Sequence, residues 1–118
     1  MSEHEPPNVD DVRVGVASLF GEIDLANAQV VREDLLRQAT NDLIVLIVDL
    51  TDVTFIDSSG IRVLFELAGL LHERDQRLYV VIPTDSHPWR TLEVSGVERS
   101  ARVFERLGDA REAAASEV

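Results

Sequence analysis

The 118-residue sequence predicts a single α/β domain in which a mixed β-sheet alternates with α-helices, and three features carry that expectation. Residues 12–16 alternate apolar and polar, residues 43–50 form an apolar run without alternation, and helical periodicity follows Ala28 and again Gly60. A period of 2 marks a half-buried strand and a period of 3.6 an amphipathic helix. Strands and helices taken in turn over a chain of this length build one layered core.

Met1 to Asp10 is polar, holds two prolines and three acidic residues, and is expected to be a loose tail before a domain spanning residues 11–118. Val12, Val14 and Val16 then alternate with Asp11, Arg13 and Gly15 as an amphipathic strand. In "ASLFGEID", Gly21 and Asp24 delimit a second short β segment. Asp24 or Asn27 can cap the helix in which Ala28, Val31, Leu35 and Ala39 share a face. "LIVLIVDL", Leu43 to Leu50, has seven apolar residues in eight, as a central strand covered on both faces requires. After Gly60 the helical period resumes: Ile61, Leu64, Phe65, Ala68 and Leu71 lie opposite Arg62, Glu66 and Glu73. "RLYVVIP" is a strand stopped by Pro83. "TDSHPWRTLEVSG" is a short helix starting at Asp85 or Ser86, with Gly96 just past its end. "ARVFERL" supplies a last strand and the alanine-rich "GDAREAAASEV" a last helix.

Composition narrows the partners. Acidic residues outnumber basic ones 22 to 11, and the net charge of −11 disfavours nucleic acid and anionic membrane while suiting a basic protein surface. The absence of cysteine removes disulfides and thiol chemistry. With no signal peptide and no apolar run of about 18 residues, the expectation is a cytoplasmic protein.

The chemistry concentrates in "FIDSSGIRV", where Asp57, Ser58, Ser59 and Gly60 separate a strand from a helix. Asp57 or Ser58 can serve as an N-cap, but a cap needs one such residue and three stand in a row. A nucleophilic serine needs a base, and of the three histidines His4 lies in the tail, His72 far down the same helix and His87 beside Pro88. The G-x-S-x-G elbow, ligand spacing for a metal and a phosphate-cradling P-loop are all missing, so no enzymatic activity, cofactor or metal is expected. What is left is a hydroxyl modified by another protein, at a helix start whose free N–H groups and dipole tolerate an anion. Gly60 is read as keeping the approach to the serines open. Val63, Leu67 and Leu70 lie beside the core stripe, either under a neighbouring helix or as a partner-contact edge. Trp89 is either core or interface.

"GEID" at Gly21 to Asp24, "IVDLTDVTFIDSSGIRVL" at Ile47 to Leu64 and "LEVSGVERSARVFERLGDA" at Leu92 to Ala110 resemble the STAS domain of bacterial anti-sigma factor antagonists. The resemblance implies partner switching in transcriptional control, as in stress responses and sporulation. The unphosphorylated protein binds an anti-sigma factor that is also a serine kinase, a sigma factor is freed, and phosphorylation reverses the exchange until a PP2C-type phosphatase restores it. It implies Ser58 as the phosphoacceptor in a loop with Asp57, Ser59 and Gly60, and partner contacts at Asp24, Ile61, Arg62, Val63 and Leu67, in a monomer or weak dimer. Arg62 departs from the small residue usual at its position, and Trp89 from an ordinary polar one. The alternative is a STAS scaffold or sensor module that does not switch and binds a protein or small ligand at the same loop.

Overall fold

A computed structural model of the chain describes residues 13–118. The loose tail expected over Met1 to Asp10, and Val12 at the first strand, lie outside the described residues. Four strands, β1 (Val14–Ile23), β2 (Val45–Ile56), β3 (Arg77–Val81) and β4 (Arg102–Phe104), alternate with four helices, α1 (Ala28–Gln38), α2 (Ser58–Glu73), α3 (His87–Ser95) and α4 (Leu107–Ala115). A single 3₁₀ turn, Val97–Arg99, precedes β4.

The sheet order is β1-β2-β3-β4. Every pairing among the described residues is parallel, so the mixed sheet expected from the sequence is corrected to a parallel one over these strands. The α/β class stands. The reason lies in the first segment: "GEID" is not a second strand but the end of β1, which pairs with β2 as far as Ile23 opposite Ile56. Register shifts at Ser18/Phe20 and Gly21/Glu22 bend the strand without ending it, and Gly21 adopts φ +77°, where a side chain would be strained. β2 likewise outruns the apolar run that announced it, ending at Ile56 rather than Leu50.

Alternation along β2 sends its side chains to two cores. Leu46, Val48 and Leu50 join the larger cluster with Leu35 of α1, Leu64, Leu67 and Leu71 of α2, and Leu92 of α3. Val45 and Ile47 join the smaller one with Tyr79, Ala110 and Ala114 of α4. Both faces of the inner strand are therefore covered, which is why it carries no polar alternation over that stretch. Trp89 is half-buried against the larger cluster, so its ring packs as core. The short helix α3 runs from the N-cap Ser86 to Gly96 in the left-handed region, as its sequence punctuation indicates.

Candidate functional site

β1 and β2 end side by side, and the two loops leaving their carboxyl ends are tied together by one side chain. Asp57 follows β2 in extended conformation and caps α2: its Oδ1 accepts from the backbone N–H of Ser59 at 2.8 Å and of Gly60 at 3.2 Å. Its Oδ2 accepts from Leu25 N–H at 3.2 Å in the β1–α1 loop, and its own N–H donates to Ile23 O at 3.1 Å. That loop is closed on itself. Asp24 N–H donates to Asn27 Oδ1 at 2.9 Å, Ala26 N–H to Asp24 Oδ1 at 3.0 Å, and Asn27 Nδ2 to Glu22 O at 2.7 Å. Asn27 occupies the N-cap position of α1, but its side chain is turned back into the loop instead of capping the helix.

With Asp57 as the cap, the serines are released from structural duty. Ser58 is exposed at the first position of α2, Ser59 is half-buried, and among the described residues neither hydroxyl makes a hydrogen bond. Among the described residues no histidine serves them: His72 is exposed in the last turn of α2, and His87 stacks on Phe55 with ring centroids 6.3 Å apart. The site is open. Over the described strands the sheet order never reverses, so their ends form no switch-point crevice of the kind that holds small ligands. The neighbouring groove, of about 410 Å³, is lined by Leu25, Gln29, Arg32, Ser59, Arg62 and Glu66 among others.

Two expectations about individual residues are corrected. Gly60 is buried and does not hold the approach to the serines open. A Cβ there would stand 2.6 Å from Ile56 Cγ1 and 2.8 Å from Ile23 Cγ2, so the missing side chain lets the helix start settle on the strand ends. Ile61, Val63 and Leu67, read as partner contacts, are buried in the larger core at 7%, 6% and 2% exposure. α2 packs on the sheet and, beside it, against α1, so it has two apolar sides to cover, and the surplus that suggested a contact edge is the side facing α1. Leu70 is half-buried in the groove between these helices. Of the expected partner contacts, Asp24 and Arg62 remain at the surface. One residue escaped the sequence reading: Leu25, 80% exposed on a loop whose N–H is fixed by Asp57. The Asp and Asn flanking it in "DLAN", a pairing that favours side-chain-closed turns, were the available signal.

Among the described residues, no helix is long and apolar enough to cross a membrane. The sequence model of the STAS domain matches residues 5–110. The chain is 28% identical over 97 residues to the anti-sigma-F factor antagonist RsfB of Mycobacterium tuberculosis, covering 82% of this chain and 78% of the relative. The crystal structure of an anti-sigma factor antagonist from Mycobacterium paratuberculosis superposes with a TM-score of 0.78 at 25% identity, over 89% of this chain and 88% of that one. The murine anion transporter Slc26a9 in its inward-facing state shares the fold alone, with a TM-score of 0.76 at 20% identity over 88% of this chain and 18% of the transporter.

Proposed function

The chain belongs to the STAS domain family, and from that membership we propose that it is an anti-sigma factor antagonist switched by phosphorylation of Ser58. Unphosphorylated, it binds an anti-sigma factor serine kinase through the surface around Asp24, Ser58 and Arg62, and a sigma factor is set free. In the reverse step the Ser58 Oγ forms a bond to the γ-phosphorus of ATP, the β–γ bridging P–O bond breaks, ADP leaves and the hydroxyl proton passes to a base of the kinase. A PP2C-type phosphatase hydrolyses the phosphoserine and restores binding. Its likeness in sequence to RsfB and in structure to the M. paratuberculosis protein supports the antagonist role.

The observation that carries the switch is the division of labour at the start of α2. Asp57 supplies the whole cap, so the exposed Ser58 hydroxyl has no structural task and can be modified with the fold intact. A phosphate adds about 1.5 to 2 negative charges there. At a contact surface that charge must be desolvated or paired, and a loss of about 3 kcal/mol weakens binding roughly a hundredfold. Each anti-sigma factor kinase of the source organism, incubated with the full chain and ATP, tests the assignment by phosphopeptide mapping. Phosphate on Ser58 is expected, and phosphate on Ser59 alone refutes it.

A further inference from the structure

Arg62 stands four residues after Ser58 on α2, so the two side chains leave one face of the helix a turn apart, with the acidic partner toward the amino end, the favoured order for such a pair. Arg62 is exposed and, among the described residues, makes no hydrogen bond or ion pair. The other arginine of the adjoining groove, Arg32, is held by Glu66 with Nε to Oε1 at 3.0 Å, which also occupies the carboxylate one turn beyond Arg62. Of the backbone donors at this helix start, the three that follow Ser58 are already spent. Ser59 and Gly60 donate to Asp57 Oδ1, Leu25 donates to Oδ2, and Ile61 donates to the Asp57 carbonyl. Asp57 and the nearby Asp24 are like charges to a phosphate, not partners for it.

We propose that Arg62 is the intramolecular partner of the Ser58 phosphate, a positioning residue that takes up the dianion through its guanidinium N–H groups. This rests on phosphorylation at Ser58 and deepens it. Phosphorylation then alters the surface twice: a dianion arrives, and the unpaired cation of the groove is masked. A partner carboxylate that used Arg62 loses it in the same event.

The test needs no kinase. Phosphoserine inserted at position 58 during translation, in the full chain and in Arg62→Gln and Arg62→Lys variants, is titrated by ³¹P NMR. At low salt the second phosphate ionisation is expected about 0.2 to 0.4 pH units lower in the wild-type background than in Arg62→Gln, from the usual strength of an i,i+4 pair. Arg62→Lys keeps part of that shift, and molar salt removes it. Coincident titrations of wild type and Arg62→Gln at low salt overturn the proposal. If no kinase modifies Ser58, the functional assignment falls while this titration stands, so the two failures are distinguishable.

Discussion

Asp57 satisfies donors on the start of α2 and on the β1–α1 loop, where an ordinary N-cap serves one helix alone. Replacing a cap by alanine costs about 0.5 to 2 kcal/mol, and Asp57→Ala is expected at the upper end of that range because Leu25 N–H loses its acceptor as well. Ser58→Ala, one residue on, is expected to stay within about 0.5 kcal/mol of wild type. Urea denaturation of both variants reads the contrast, and equal losses would deny the division of labour between cap and hydroxyl. Gly60→Ala drives a methyl into Ile56 and Ile23 and is expected to cost about 1 to 3 kcal/mol in the same assay. The sequence made the cluster of Asp57, Ser58, Ser59 and Gly60 visible because polar residues rarely crowd between two apolar segments without reason. It could not assign the roles. Which side chain caps the helix depends on backbone angles at Asp57, and the inward direction of Gly60 depends on the pairing of Ile56 with Ile23, a residue 33 positions earlier.

At the level of the elements, α2 separates packing from recognition. Leu67→Ala removes a buried side chain and is expected to cost about 2 to 5 kcal/mol, whereas Leu25→Ala is expected to leave stability unchanged within about 0.5 kcal/mol and to quicken dissociation from the anti-sigma factor. Thermal melts paired with surface plasmon resonance separate the two. Helix periods were legible because α1 and α2 repeat their apolar residues regularly. That both sides of α2 are covered was not, since a periodic pattern does not say how many neighbours a helix has. The hidden extent of β1 has a similar cause, because bulges break the period-2 signal while the ladder continues. On the opposite face α4 is latched by Glu117, which accepts from Tyr79 Oη at 2.8 Å and pairs with Arg77 Nε at 3.2 Å. Burial, and then the bond to Glu117, raise the ionisation of Tyr79 above its usual value near 10. The folded state thus holds this proton more tightly than the unfolded chain. The stability so gained is complete below about pH 10 and is lost as pH rises through the folded-state value. Tyr79→Phe is expected to cost about 1 kcal/mol at neutral pH and to flatten the alkaline decline, which denaturation between pH 7 and 11 measures.

For the molecule as a whole, a sheet whose described strands are parallel and never reverse in order presents a surface at its strand ends rather than a switch-point crevice, a geometry suited to a protein partner. The net charge of −11 adds long-range attraction to a basic partner, screened over about 8 Å at physiological salt. Raising salt is therefore expected to slow association more than it quickens dissociation, as rate constants at several salt concentrations will read. The α/β class was legible from alternating periods. The direction of the first strand pair was not, because sequence punctuation at Gly21 and Asp24 looks the same for a turn as for a bulge. The most direct measurement of the switch itself is the dissociation constant of the anti-sigma factor for the unmodified chain and for the chain carrying phosphoserine at position 58, with sigma-factor release scored in the same mixture. Binding about a hundredfold weaker on phosphorylation, with sigma factor released only by the unmodified chain, is the predicted result. Equal constants, with equal release, would contradict the switch and leave a STAS module whose binding is indifferent to Ser58.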